Sequence, residues 1–499
     1  MSADQPGSTE ERSPSAPVDV RWAVAAGVIC LLGVLLIPAK ADPDLWGHLR
    51  FGLDTWRDGE LAVTDPYSFT QDRPQVYHEW LGAVLLALSY QAAGVPGILI
   101  LKSAVAFAIL GAMMGWLRRL EVREALMLVG LAVLNILPLS LMTRPQLWTA
   151  LAMVTLVRLL LEGRYQWIPP LFAVWASLHG GWVMGLGILG IWCAATIVDR
   201  WWRTGRVSWA LVVLPPAALA GTLLTPYGWR LWQFLGETLR VERPDITEWR
   251  PLWEQPDYAV VPAAVAVGLF IALCVRSQTR PPWPSIVIGV VFIYSGVRVS
   301  RLVSIGALVL TMLVIRQLAK TPQPVWRFQL PSRAAATVMM VPLATICVAA
   351  TVSLAPRFQC LPIVGSWTPD AAAIPVLQQG IDGGRVVTFF DWGQYALWHL
   401  GPRMKISMDG RRETIYSDRM LAIQGAVYSN RAEGDAWLIE QRPEYVWLKA
   451  RHQPRKRWLL ANGYRVDWES DKSYVAVRAD LPVVSGPLSI ETTGCFPGP

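Results

Sequence analysis

Charge is scarce in this sequence. Only 16% of its 499 residues are Asp, Glu, Lys or Arg, against 53% hydrophobic residues. The mean hydropathy of +0.35 is far from that of a soluble globular domain. Histidine occurs 5 times and cysteine 6 times, and no Cys–His spacing has the pattern of a zinc site. No segment recurs at a fixed period, which argues against a solenoid or propeller. The short basic loops carry no nucleotide-binding pattern, which argues against an ATP-driven machine. The net charge of +8 is spread over many loops instead of forming one basic surface, so it speaks for membrane topology and against nucleic acid.

What the chain has in abundance is apolar stretches of the length that crosses a hydrocarbon core. After a polar tail at 1–21, spans are expected at 22–38, 97–117, 124–142, 147–161, 167–178, 181–198, 207–225, 259–275, 284–299, 301–316 and 335–354. The triplet Ala39-Lys40-Ala41 resembles a signal-peptide cleavage site, but the long acidic leader favours a retained span. The stretch 80–93 is too short to span and is read as lying along the interface. With it excluded, the basic loops Arg118–Arg123, Glu162–Arg164, Arg200–Arg206, Arg276–Arg280 and Arg316–Arg333 all share the side of Arg12 and Arg21. The positive-inside rule then gives about eleven spans, a cytoplasmic N-terminus and an external C-terminus. The expected organisation is a tail (1–21), a transmembrane domain (22–355) with a large first external loop (41–95), and an extracytoplasmic domain (356–499).

Residues 356–499 are more polar and richer in turns. Strands are expected at Arg385–Phe390, Met404–Met408, Tyr445–Leu448 and Tyr474–Val477, with a helix from Asp391 to Leu400 capped by Asp391. The fold class is therefore a polytopic α-helical membrane protein with a C-terminal extracytoplasmic α/β domain. Cys30, Cys193, Cys274 and Cys347 fall in apolar runs as small core residues. Cys360 and Cys495 bracket the polar region and can pair if it lies in an oxidising compartment.

The topology gathers a distinct set of residues on the external side. Asp42 and Asp44 follow the first span, where an acid near hydrocarbon must be hydrated, paired or protonated. Asp42 before Pro43 also suits a helix cap with Pro43 at the first helical position, and Asp44 would favour the helix N-terminus. His78 and Glu79 either bind substrate or anchor the interfacial stretch. Arg144 either snorkels or binds phosphate through its planar fork. His179-Gly180-Gly181 is either a tight turn or a hydrogen-bonding site. Thr225-Pro226-Tyr227-Gly228 reads as a turn. Glu248 lies in a late external loop. Arg298 and Arg301 sit one helical turn apart. Asp409-Gly410-Arg411-Arg412 reads as a strand-end turn, and Asp391 as a cap before a catalyst.

In this order these features resemble the GT-C superfamily of integral-membrane glycosyltransferases, which use polyprenyl-phosphate-linked sugars. Asp42-Pro43-Asp44 matches the acidic motif that opens the family's first external loop. The stretches 44–57 and 78–90 match its external and interfacial helices. Phe389-Phe390-Asp391-Trp392-Gly393 is similar to the WWDYG motif of the oligosaccharyltransferase branch, and Ile246-Thr247-Glu248 to its TIxE motif. Arg298 sits where that branch keeps a lipid-phosphate arginine. Both leading tryptophans of WWDYG are phenylalanines here, and the second acidic motif is replaced by Thr143-Arg144-Pro145-Gln146. The resemblance, oligosaccharyltransferase-like or protein mannosyltransferase-like, thus implies a divergent member. A monosaccharide transferase, or one with another acceptor, fits better than sequon recognition.

The resemblance implies transfer of a sugar from a polyprenyl-phosphate donor to an extracytoplasmic glycan, lipid or protein, at a bacterial-type inner membrane. Asp42 would be the first choice and Asp44 the second as catalytic base. Arg144, His179, Arg298 and Arg301 would bind the donor phosphate, and His78, Glu79, Glu248 and Asp391 the substrates. Asp42, Asp44 and Glu248 would be the ligands if a divalent cation, magnesium or manganese, is used. Two other functions compete. A transporter or flippase of a lipid-linked or polar solute would use polar groups such as Asn135 and the break at Pro138. A non-catalytic membrane scaffold would bind a partner through 356–499.

Overall fold

The computed structural model describes residues 27–29, 31–238, 247–254, 259–276, 280–320, 341, 345–346, 348–349, 352–353, 355–487 and 494–498. The tail at 1–21, most of the expected span 335–354, Ile246, Cys30 and Cys347 lie outside the described residues. After a first helical stretch through 31–34, the chain forms α1 (Leu45–Asp58), α2 (Trp80–Ala93), α3 (Val95–Leu117), α4 (Val122–Ser140), α5 (Gln146–Glu162), α6 (Ile168–Leu178) and α7 (Trp182–Thr204). Then come α8 (Trp209–Gly221), α9 (Trp229–Thr238), α10 (Val260–Val275), α11 (Trp283–Arg298) and α12 (Val303–Leu318). Between 95 and 318 these bounds follow the apolar runs to within a few residues.

Among the described residues, four helices are long and apolar enough to cross a membrane: Val95–Leu117, Val122–Ser140, Trp182–Thr204 and Ser300–Leu318. The helix through Leu224 and α9 together make a fifth candidate, bent by 104° at the turn 225–228. The expected spans between 97 and 316 each fall on a helix, α3 to α8 and α10 to α12. Helices α10 and α11 are apolar but shorter, and the 207–225 stretch ends where the turn with Pro226 and Gly228 redirects the chain into α9. Helix α12 is buried at every position from Val303 to Ile315, as a helix that is apolar all round must be. It packs against α10, α11 and α4 and forms the centre of the bundle.

Helix α1 is amphipathic, with Leu45, Trp46, Leu49 and Gly52 buried. A Cβ on Gly52 would lie 2.2 Å from the Ala83 carbonyl oxygen, so glycine is what lets α1 and α2 touch. The helix begins at Leu45, two residues later than a cap at Asp42 with Pro43 as first helical residue requires. The Asp42 side chain closes a local turn instead, accepting from the Asp44 N–H at 3.0 Å.

The C-terminal part carries α13 (Ala373–Gln378), β1 (Arg385–Thr388), α14 (Gly393–Leu400), β2 (Lys405–Ile406), α15 (Asp418–Tyr428), α16 (Ala432–Gln441), β3 (Tyr445–Lys449), α17 (Gln453–Ala461), β4 (Tyr464–Glu469) and β5 (Ser473–Arg478). They form one sheet in the order β2-β1-β3-β5-β4, with β2, β1 and β3 parallel and the β5 pairings antiparallel. The strand expected at Met404–Met408 shrinks to Lys405–Ile406, because the chain turns at Asp409 to meet the first loop. Asp391 is not a helix cap. It lies inside a tight turn, Phe390–Trp392, and α14 starts at Gly393 with no side-chain cap. Gly393 is required there, since a Cβ would lie 2.0 Å from the Met408 carbonyl oxygen.

The first loop and the C-terminal sheet are one body. Ser68 pairs in parallel with Ile406 and so extends the sheet edge. One buried apolar cluster contains Leu45, Trp46 and Phe51 together with Ile374, Trp392, Tyr395 and Trp447. Arg411 is buried between Asp65 and Asp409, with the Phe51 ring 4.5 Å from its guanidinium carbon. Cys360 and Cys495 form a disulfide with a Cα–Cα distance of 5.1 Å, holding the 494–498 segment against 361–363.

Candidate functional site

The site is built where the 38–44 and 140–146 segments meet. Lys40 and Met142 bridge in parallel. Lys102, buried on α3, donates to the carbonyls of Leu36, Ile37, Pro38 and Ser140 at 2.8–3.0 Å. One ammonium thus satisfies carbonyls at two chain ends and fixes both segments relative to each other. The consequence lies two to four residues on, where Asp42 meets Arg144.

Arg144 Nε donates to Asp42 Oδ2 at 2.5 Å, and its Nη1 donates to Glu248 Oε1. Arg301 Nε lies 3.7 Å from Glu248 Oε2. With its amide oxygen turned toward Arg301, Gln146 accepts from the guanidinium at 2.5 and 3.0 Å. The result is a chain of alternating charge: Asp42, Arg144, Glu248, Arg301. Glu248 belongs to a turn, Thr247–Trp249, whose Glu248 carbonyl accepts from the Ser300 hydroxyl at 2.9 Å.

The two acids differ in their surroundings. Asp42 is only 1% exposed, and its oxygens accept from Arg144 and from the Asp44 N–H. Asp44 is partly buried against the turn 409–411, where a Cβ on Gly410 would lie 2.0 Å from Asp44 Oδ1. Burial, then the charges of Asp42, Asp409 and Glu79, raise its pKa from 3.8 to about 7, against the opposing pull of Arg144.

Beside them lies a second group. Glu79 Oε1 is 3.5 Å from Nε2 of both His78 and His179. Burial alone would raise the Glu79 pKa, but His179, His78 and His48 outweigh it and hold the carboxyl well below its usual range. The Gly181 N–H donates to His179 Nδ1 at 3.0 Å, so a neutral His179 ring carries its proton on Nε2, toward Glu79. Burial lowers the His179 pKa to about 4, which keeps the ring neutral at neutral pH. His48, one turn after Asp44 on α1, shares a 2.8 Å hydrogen bond with the Tyr77 hydroxyl. The Tyr77 N–H in turn donates to the Tyr227 hydroxyl at 2.9 Å, so the turn at 225–228 also supports this group.

Most of the residues singled out in the sequence therefore converge: Asp42, Asp44, His78, Glu79, Arg144, His179, Glu248 and Arg301. Two do not. Arg298 is exposed at the end of α11, and Arg301 is the one that meets Glu248. Asp391 has Lys449 and Arg451 as its charged neighbours, on the C-terminal sheet. Sequence reasoning missed His48, Lys102 and Gln146. A lysine inside the apolar run of α3 was a legible signal; the other two were not distinguishable from ordinary polar residues.

A cavity of about 40 Å³ opens beside Arg144, lined by His48, Lys102 and Thr143 and walled by Leu86, Ile98 and Leu101. The Thr143 hydroxyl at this cavity and the His78 Nδ1 are buried without a hydrogen-bond partner. Buried polar atoms are seldom left so unless a ligand or water completes them.

The donor set does not suit a divalent cation. Asp42 and Glu248 each present an oxygen to the Arg144 guanidinium, which bridges them. Among the described residues, no three His, Cys, Asp or Glu side chains are grouped so as to hold an ion. Asp42, Asp44 and Glu248, the expected ligands, are thus not grouped as one ligand set among the described residues.

No protein-family model matches this sequence, nor does any curated protein sequence. Solved structures do match. The oligosaccharyltransferase of Archaeoglobus fulgidus in its apo form superposes with a TM-score of 0.57 at 10% identity, over 94% of this chain and 76% of that one. ArnT from Cupriavidus metallidurans in the apo state gives 0.55 at 14% identity, over 93% of this chain and 99% of that one. The same protein bound to undecaprenyl phosphate gives 0.52 at 14% identity, over 92% and 98%. At such identities the likeness is one of fold. The chain shares the fold of these proteins over more than nine-tenths of its length.

Proposed function

We propose that this protein is a membrane glycosyltransferase that moves a sugar from a polyprenyl-phosphate donor to an extracytoplasmic acceptor. The observation that carries the reading is the pairing of two unlike acids, Asp42 and Asp44, with two arginines, Arg144 and Arg301, at one end of an apolar bundle. The shared fold with an oligosaccharyltransferase and with a protein that binds undecaprenyl phosphate supports it. In this reading the 38–44, 141–146 and 247–254 segments and the C-terminal domain face outward, and the basic loops face the cytoplasm.

Asp44, not Asp42, is assigned as the base. Both Asp42 oxygens are engaged, and its role is to hold Arg144 and the Asp44 N–H in place. Asp44 has its pKa pushed up to about 7, and at neutral pH such a general base combines adequate basicity with an adequate deprotonated fraction. It takes the proton from the acceptor hydroxyl as that oxygen attacks the anomeric carbon. The bond from that carbon to the donor phosphate breaks, and the negative charge developing on the phosphate is met by Arg144 and Arg301. His179 is neutral here and contributes hydrogen bonding instead of charge. The cavity beside Arg144, apolar on one side and cationic on the other, suits the junction of a lipid chain and its phosphate.

The test is transfer of a labelled sugar from polyprenyl-phosphate donor by the purified protein. Wild type is expected to transfer, and Asp44→Asn to lose activity by about 10²–10⁴-fold. A protein that moves the intact lipid-linked sugar across vesicles without breaking the glycosidic bond would refute the reading in favour of a transporter.

A further inference from the structure

We infer that Arg144 is the built-in cation of this site, doing with a guanidinium what a divalent metal bound by the same carboxylates would do. The inference concerns how the site is held together. It rests on the glycosyltransfer reading only for its catalytic consequence.

Asp42 and Glu248 come from loops 206 residues apart in sequence, one after the first helical stretch and one before α10. Two carboxylates brought to a common point repel, and something positive must sit between them. Here that charge is covalently part of the chain. Arg144 reaches one oxygen of each acid through separate nitrogens, Nε to Asp42 and Nη1 to Glu248, and 27% of its side chain remains exposed. A planar fork with several fixed donors suits this bridging; a lysine, with a single charged point, would not span both acids. The sequence agrees with the geometry. The residues around the bridge, Thr143-Arg144-Pro145-Gln146, include no carboxylate, so Arg144 is the one charged side chain this segment brings to the two acids.

A metal-bridged site depends on ion concentration and falls apart when the ion is chelated. The Arg144 site does neither. Besides facing the phosphate in that reading, Arg144 holds the 247–254 segment through Glu248, and Gln146 with Arg301 completes the same tether from α5 and the start of the 300–318 helix.

The test uses the full chain in detergent, with manganese(II) titrated and followed by electron paramagnetic resonance. Wild type and Asp42→Asn are expected to give the same binding curve, with no site lost in the variant. Hydrogen exchange of 247–254 in wild type is expected to be unchanged by chelator, and faster in Arg144→Gln. A stoichiometric manganese site in wild type that vanishes in Asp42→Asn would overturn the inference, as would loosening of 247–254 on chelation. The chelation arm uses wild type alone, so it decides the matter even if a variant folds poorly. None of these readouts requires sugar transfer, so failure of the glycosyltransferase reading and failure of this inference are told apart.

Discussion

Two arginines in this molecule each bridge two carboxylates from distant segments, and they do so in opposite settings. Arg411 joins Asp65 to Asp409 in a sealed interior, with 5% of its side chain exposed and both acids at 0%. Aromatic rings of Phe51 and Tyr67 lie against its guanidinium. Arg144 joins Asp42 to Glu248 with one acid buried and the other 35% exposed, beside a cavity and the unpartnered Thr143 hydroxyl. The same chemical unit is closed in one place and open in the other. A closed bridge can only hold the first loop onto the C-terminal sheet. An open bridge holds loops too, but leaves guanidinium surface for a ligand. That contrast separates scaffold from site more sharply than charge or burial alone.

The contrast can be broken at either end. The largest expected stability effect is at the sealed bridge: Arg411→Ala leaves Asp65 and Asp409 buried without a counter-charge, at a cost of about 3–5 kcal/mol. Thermal melting of the purified protein should show it as a large loss, and equal melting of variant and wild type would count against the sealed assignment. At the open bridge, Arg144→Ala should cost less, about 1–3 kcal/mol, because Glu248 can recover water and the one acid left buried, Asp42, keeps its bond from the Asp44 N–H. Its transfer activity should nevertheless fall below detection while the protein still melts cooperatively. The smallest effect is at Gln146→Ala, which removes the amide that receives Arg301. About 0.5–1.5 kcal/mol is expected, read as a modest rise in KM for the lipid donor with stability nearly unchanged.

How much of this was legible in the sequence depends on the range of the interaction. Helices α3, α4, α5 and α7 were readable because an apolar run carries its own length and ends. The convergence of Asp42, Arg144 and Glu248 on one side was readable from loop charges, since topology sorts span ends into two faces. Which acid is held and which is poised was not readable. It depends on the turn 409–411 pressing on Asp44, and that turn is anchored by a contact between Asp65 and Arg411, 346 residues apart. The division at 356 into a membrane part and an outer domain was drawn from composition. Composition cannot show that Ser68 extends the edge of the C-terminal sheet, nor that Trp46 packs into the core beneath it. The cap reading of Asp391 failed for a related reason, since the start of α14 is set by the close approach of Gly393 to Met408.

The poised acid also has a stability signature. Its pKa rises from 3.8 in the open chain to about 7 in the fold, so the folded form holds a proton that the unfolded form has lost. Stability from this group is present at low pH and declines as pH rises through that interval. Asp44→Asn should therefore melt no lower than wild type at pH 8, although it is inactive. A variant that is both inactive and markedly less stable there would point to a structural acid.

The central claim, that Asp44 is the base and Arg144 bridges its neighbours, is tested most directly by the pH dependence of single-turnover sugar transfer by the purified protein. A rate rising about tenfold per pH unit below 7, levelling off above it, and absent from Asp44→Asn is the predicted result. Wild-type rates and an unaltered pH profile in Asp44→Asn would contradict the account.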